Sequence, residues 1–171
     1  ASARMNRWEW LALLAIILLA TAFRIAYLSQ VRGHPLFTSL VGDPAVYMAQ
    51  ARDIAAGKLV PDHAYFHSSP LYPFFVALVE WLAGRGLHAV RVVQSLIGVA
   101  SVALVFALGR VTLGKRAGLV AAALAAVYVP FVFFEAEFLE ITLVIAFVLG
   151  SLGFLERTDR SPGLWSTAAS G

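Results

Sequence analysis

The sequence contains no cysteine, which excludes disulfide bridges and thiolate chemistry. Charge is also scarce, because only 13% of the 171 residues are Asp, Glu, Lys or Arg, whereas 60% are hydrophobic and the mean hydropathy is +0.80. These values lie far outside the range of soluble globular domains. The net charge of +3 is too small to indicate a nucleic-acid partner.

The apolar residues occur in runs of about 18 to 22, the length at which an α-helix crosses roughly 30 Å of hydrocarbon. The runs lack the strict alternation that is typical of a lipid-facing β-barrel. The predicted fold class is therefore all-α integral membrane, with about four transmembrane helices and two interfacial helices in the first outer loop.

The predicted spans cover approximately residues 8–28, 89–109, 117–134 and 138–155. The last two come from one apolar stretch, which as a single helix would be about 58 Å long and therefore too long for one crossing. We place the bend at Glu135-Ala136-Glu137 and interpret Glu135 as a solvated turn residue. A cleaved signal peptide ending near Ala20-Thr21-Ala22 is the alternative for the first span, although the apolar pattern continues through Leu28.

Sidedness follows from the basic residues. The apolar segment 70–83 would be only about 21 Å long as a helix, so we place it at the outer interface, with the first outer loop spanning 29–88. Both ends of the membrane module, residues 1–160, are then cytoplasmic, and residues 161–171 are interpreted as a linker to a further part of a longer protein. The basic residues that fall on the cytoplasmic side are Arg4, Arg7, Arg110, Lys115, Arg116, Arg157 and Arg160.

Asp43 is the most informative residue of the outer loop. Residues 44–57 are predicted to form a surface helix with Asp43 as N-cap, Pro44 as first residue and Gly57 as stop. A structural cap is one interpretation of Asp43. A carboxylate that a helix N-terminus keeps ionised would equally serve as a base or a metal ligand, and the two roles are compatible. The predicted apolar stripe is Tyr47, Ala51, Ile54 and Ala55, with Gln50 and Asp53 opposite.

Other ionisable residues are candidates because they lie in or near apolar segments. Glu137 and Glu140 would share a helix face, and Glu140 would lie inside the fourth span, where a charged group is costly and indicates function. Arg24 lies inside the outer end of the first span, where either snorkelling or a buried ion pair is open. The remaining candidates for contact with a lipid phosphate are Lys58, His67, Tyr72, Arg85 and Arg91.

This ordering of residues resembles the GT-C superfamily of integral-membrane glycosyltransferases, in particular the N-terminal portion of protein O-mannosyltransferases and aminoarabinose transferase. The resemblance rests on Gly42-Asp43 after the first span, on Ser69-Pro70-Leu71-Tyr72-Pro73, and on Pro130 upstream of Glu140. The sequence departs from the aminoarabinose branch at Ser68, where that branch has a basic residue.

The resemblance implies transfer of a sugar from a polyprenyl-phosphate carrier to a protein, lipid or glycan acceptor on the periplasmic face of a cell (inner) membrane. It implies Asp43 as the base, Glu140 and then Glu137 as assisting acids, and basic residues that offset the charge of the leaving phosphate. A single carboxylate without a covalent partner favours inversion. A divalent cation stays open as a cofactor.

Two other classes remain as alternatives. One is a non-catalytic lipid-binding or assembly module that keeps the same scaffold. The other is a small transporter, which would need polar residues near the middle of the bilayer, and the spans offer almost none besides Arg24 and Glu140.

Overall fold

The computed structural model describes residues 5–58, 69–84 and 86–159, and this part of the chain is α-helical with short connections. The predictions on Arg4, His67, Arg85, Arg160 and the linker 161–171 lie outside the described residues. The helices of the described part are α1 (Arg7–Val31), α2 (Pro35–Thr38), α3 (Asp43–Ala55), α4 (Leu71–Ala83), α5 (Leu87–Thr112), α6 (Lys115–Ala126), α7 (Val129–Ala136) and α8 (Ile141–Asp159).

Three of the described helices, α1, α5 and α8, are long and apolar enough to cross a membrane. The helices α6 and α7 form a bent pair, which makes a fourth span if the pair is counted as one. The prediction of an all-α integral membrane fold is thus confirmed. With 13 residues α4 is shorter than a span, and its interfacial position stays a prediction.

Helix α5 lies at the centre and contacts α1, α4, α6, α7 and α8. Its closest neighbour is α6, and two glycines permit that approach: a Cβ atom added to Gly118 would lie 2.6 Å from the backbone nitrogen of Arg110 and 2.8 Å from the carbonyl oxygen of Phe106. Small residues at a helix contact are how membrane helices gain close backbone packing. The second residue of the contact is Gly109.

The two ends of the bundle can be named by the residues that they carry. At one end, which we name the Lys115 end, Lys115 Nζ lies 2.9 Å from Glu9 Oε1, and Glu9 also completes a capping box with Asn6 at the start of α1. Arg157 of α8 lies at this end too, lining a groove together with Val111 of α5. The opposite end carries α3 and α4, the start of α5 and the connection between α7 and α8, and we name it the Asp43 end.

Helix α3 differs from its prediction in two respects. Its N-cap is Gly42, whose φ of 69° lies in the left-handed region, so Asp43 is the first helical residue and the prediction of Asp43 as N-cap was wrong. Gln50, predicted on the polar face, is only 4% exposed. It is buried because α3 packs against α4 and contributes Tyr47 and Met48 to a core cluster, instead of offering a single face to its surroundings.

The third predicted span is broken. Helix α6 ends at Ala126, α7 starts at Val129, and the two are bent by 50° where the sequence predicted one helix to residue 134. Pro130 explains the break, because proline has no N–H and cannot donate to the carbonyl of Ala126 four residues earlier. Within a membrane this freed carbonyl needs another donor.

Candidate active site

A hydrogen bond joins the outer-loop helix to the second connection at the Asp43 end. The phenolic O–H of Tyr47 donates to Glu140 Oε2 over 2.7 Å, and the Tyr47 ring packs edge-on against Tyr72 with 4.9 Å between centroids. Burial raises the pKa of Tyr47 to about 12, helped by the bond and charge of Glu140 and, more weakly, by the charge of Asp43. Asp43 is exposed and lies one helical turn before Tyr47. The tyrosine therefore links the elements that carry the two carboxylates.

Glu137 and Glu140 both lie in the connection between α7 and α8. Glu137 is the extended C-cap of α7, with ψ of 152°, and Glu140 immediately precedes Ile141, the first residue of α8. The predictions that the two acids share a helix face and that Glu140 lies inside the fourth span were therefore wrong. Because this connection is not helical, the two side chains need not point the same way.

Arg91 of α5 is buried, with 2% of its surface exposed, and retains an unused donor. Its Nε donates to the carbonyl of Ala136 over 2.7 Å, its guanidinium carbon lies 3.7 Å from the centroid of the Phe37 ring, and Nη1 has no hydrogen-bond partner. A buried N–H without a partner is costly and favours an anionic ligand. Arg91 lines a cavity of about 230 Å³ together with Tyr27, Val31, His34, Phe37, Phe133, Ala136 and Glu137.

Tyr72 and Gln94 form hydrogen bonds that support the connection between α7 and α8. The hydroxyl of Tyr72 donates to Gln94 Oε1 over 3.0 Å, while Gln94 Nε2 donates to the carbonyls of Glu137 (3.1 Å) and Leu139 (3.3 Å). Burial, with a further contribution from the Glu140 charge, raises the pKa of Tyr72. The role of Tyr72 as a phosphate contact stays a prediction, since its hydroxyl is donated to Gln94.

Arg24 and Glu135 form a buried ion pair that the sequence only partly predicted. Arg24 Nε and Nη2 each lie 2.6 Å from a different Glu135 carboxylate oxygen, and Arg24 Nη1 donates to the carbonyls of Ala20 (3.2 Å) and Ala126 (3.4 Å). The exposed fractions are 2% for Arg24 and 4% for Glu135. The interpretation of Glu135 as a solvated turn residue was wrong, because α7 carries it into the bundle.

Of the two roles left open for Arg24, the structure shows the buried ion pair. All three guanidinium nitrogens contact protein groups, and a phosphate-binding role for Arg24 stays a prediction. One signal in the sequence pointed to this arrangement: Pro130 frees the Ala126 carbonyl, and a freed carbonyl within a membrane requires a donor from elsewhere.

The remaining candidates are spread more widely. Lys58 follows α3 and is exposed, and its backbone N–H donates to Asp53. Two further basic residues contact each other, with Arg32 Nη2 lying 2.7 Å from His88 Nε2. Within residues 5–58, 69–84 and 86–159, no group of three or more His, Cys, Asp or Glu could hold a metal ion.

Fold and site first define a class: an all-α integral membrane protein that gathers carboxylates and a buried arginine at one end of its helices. Residues 62–169, more than half of the chain, match the family model described as dolichyl-phosphate-mannose-protein mannosyltransferase. The chain therefore belongs to this family of membrane glycosyltransferases, which confirms the resemblance. No match was found among curated proteins or solved structures. The family match includes Arg91 and Glu140 but begins after Asp43.

Proposed function

We propose that this chain is the membrane module of a glycosyltransferase that moves a sugar from a polyprenyl-phosphate carrier to an acceptor on the outer face of a cell membrane. The observation that carries the proposal is the Tyr47–Glu140 hydrogen bond, which ties the helix bearing Asp43 to the connection bearing Glu137 and Glu140. The family description supports a mannosyl donor and a protein acceptor.

Asp43 is the base of the proposed reaction. It is exposed and is the first residue of α3. As the acceptor oxygen attacks the anomeric carbon, its proton passes to Asp43 and the bond between that carbon and the phosphate oxygen breaks. Glu140, held by Tyr47, orients the acceptor or the sugar.

Arg91 stabilises the leaving polyprenyl phosphate. Its Nη1 donor is buried and has no protein partner, and Arg91 lines the same cavity as Glu137. Charge that develops on the leaving oxygen gains most from a donor that is already fixed, and the Phe37 ring and the Ala136 carbonyl fix this guanidinium. The Glu137 carboxylate in the same cavity suits the hydroxyl groups of a sugar.

The proposed orientation rests on the basic residues at the Lys115 end. Lys115 and Arg157 lie at the end opposite Asp43, together with Arg110. Basic residues that flank spans are enriched on the cytoplasmic side. The site then faces the periplasmic or extracytoplasmic side, where a lipid-linked donor and an exported acceptor can meet.

The test uses the full-length protein in lipid nanodiscs, with polyprenyl-phosphate mannose as donor and a membrane-protein extract as acceptor. Asp43→Asn is expected to abolish mannose transfer while donor binding and expression stay unchanged. The matched control is Asp53→Asn, which removes an acid from the same helix and should leave transfer intact. Unchanged transfer by Asp43→Asn would exclude Asp43 as the base.

The same preparation separates the proposal from the alternative of a non-catalytic lipid-binding module. That module would bind polyprenyl-phosphate mannose and release no polyprenyl phosphate, even in the wild-type protein. Arg91→Gln distinguishes the two further. It should weaken donor binding in either case, but only an enzyme would also show a slower release of the carrier phosphate.

A further inference from the structure

The Arg24–Glu135 pair is placed so that three helices meet at it. Arg24 comes from α1, Glu135 from α7, and the second Arg24 contact reaches Ala126 at the end of α6. The carboxylate is held by two parallel N–H···O contacts, the bidentate geometry that fixes direction as well as distance. An ordinary ion pair would constrain two elements, whereas this one constrains both halves of the broken span.

Gly98 of α5 completes the arrangement. A Cβ atom added to Gly98 would meet the Glu135 carboxylate at Oε1, Cδ and Oε2, closer than side chains ever approach. The absence of a side chain at this position is therefore what lets the carboxylate lie between α1 and α5. Arg24 and Glu135 are both buried, and every guanidinium nitrogen of Arg24 already contacts a protein oxygen.

We propose that Arg24, Glu135 and Gly98 form a positioning lock that sets the bend between α6 and α7 and thereby holds Glu140 against Tyr47. The catalytic consequence rests on the proposed function, but the geometric claim does not. Arg24 replaces the donor that Pro130 cannot supply to Ala126, and the ion pair fixes the far end of α7. The connection that starts at the end of α7 carries Glu140, so its position depends on the angle of that helix.

The lock can be tested by distance as well as by activity. The sequence has no cysteine, so nitroxide labels can be placed at Val41→Cys, before α3, and Val144→Cys, in the first turn of α8, both of which are exposed. Gly98→Ala and Arg24→Lys are expected to shift or broaden the distance distribution between the labels. In the same full-length protein, both should lower kcat for mannose transfer at least tenfold, with KM for polyprenyl-phosphate mannose changed less than twofold.

A rescue distinguishes positioning from a general defect of folding. Adding Glu135→Asp to Gly98→Ala shortens the carboxylate by one methylene and makes room for the new methyl group, so it should restore part of kcat and narrow the distance distribution. The matched control is Gly150→Ala in α8, where an added Cβ would meet no atom within 4 Å, and which should match the wild type.

Three outcomes would overturn the proposal. An unchanged distance distribution in Gly98→Ala would show that the carboxylate does not set the bend. A raised KM in Arg24→Lys without a change of distance would make Arg24 a substrate ligand. A Gly98→Ala defect that Glu135→Asp does not relieve would indicate a general packing fault. If the wild type transfers no mannose, the proposed function fails while the distance measurement still decides the lock.

Discussion

Replacing Tyr47 by phenylalanine removes one hydroxyl group and leaves the ring that packs edge-on against Tyr72. The lost contact is the 2.7 Å hydrogen bond to Glu140. Since Tyr47 is almost fully buried in the cluster formed by α3, α4 and α5, the apolar packing of α3 should survive the change. We therefore expect Tyr47→Phe to fold and to bind donor, but to position Glu140 poorly.

The size of the expected loss of activity follows from the charge of Glu140, which accepts the hydrogen bond. A hydrogen bond to a charged group contributes about 1.5–3 kcal/mol. Because about 1.36 kcal/mol corresponds to a tenfold change in rate, full use of this bond in the transition state predicts a loss of roughly 10- to 150-fold in kcat/KM. The loss should appear in kcat, since Arg91 and its cavity do not depend on the Tyr47 hydroxyl.

The assay is a double-mutant cycle on mannose transfer from polyprenyl-phosphate mannose, with Tyr47→Phe, Glu140→Gln and the double variant. If the two groups act through one bond, the double variant should be little worse than the more severe single variant. Tyr128→Phe is the control, because Tyr128 is half exposed at the break after α6 and its edge-on contact with Phe131 needs no hydroxyl. Strictly additive losses, or a Tyr47→Phe effect below twofold, would refute the reasoning.

The remaining predictions concern pH and packing. Because the pKa of Tyr47 is raised to about 12, its neutral hydroxyl contributes fully to folding below about pH 10, and this contribution is lost as the pH rises through about 12. An ultraviolet titration of tyrosinate should show an ionisation step near pH 12 in the wild type that is missing in Tyr47→Phe. Gly118→Ala should lower the free energy of unfolding by about 1–3 kcal/mol, because the added methyl group forces α6 away from the α5 backbone. Its melting temperature should be lower than that of Gly150→Ala, where an added Cβ has no atom within 4 Å. Tyr72→Phe leaves buried Gln94 Oε1 without its donor and should cost about 1–3 kcal/mol in thermal unfolding, and unchanged melting would exclude this bond as a support of the connection.

The parts of the fold that could be predicted from the sequence are those that the solvent dictates. A helix that crosses hydrocarbon must be long and apolar, so α1, α5 and α8 correspond to predicted spans. Helices α1 and α5 extend a few residues beyond their predicted bounds, whereas α8 is shifted toward the C-terminus. The helix at Asp43 was also predictable, because proline at its start and glycine after its end are local signals. These features depend on each segment alone.

The features that could not be predicted depend on residues distant in the chain. Glu135 was interpreted as solvated because charge at a bend is usually exposed, and only the approach of Arg24 from α1 and the missing side chain at Gly98 make its burial tolerable. Gln50 is buried for a similar reason, since α4 and the bundle cover more of α3 than an apolar stripe would predict. In each case the deciding partner lies on another element.

The short helix α7 shows how these long-range partners bear on function. A membrane tolerates a broken helix only when the freed backbone groups find donors, and here each end of α7 has an arginine: Arg24 donates to Ala126 before it, and Arg91 donates to Ala136 at its end. The two arginines differ in what remains unused, because Arg24 spends every nitrogen on protein while Arg91 keeps Nη1. If Arg91 also used every nitrogen, neither arginine would keep a nitrogen without a protein partner. The proposed role of Arg91 as a phosphate ligand rests on this unpaired Nη1, while its Nε bond to Ala136 supports the fold.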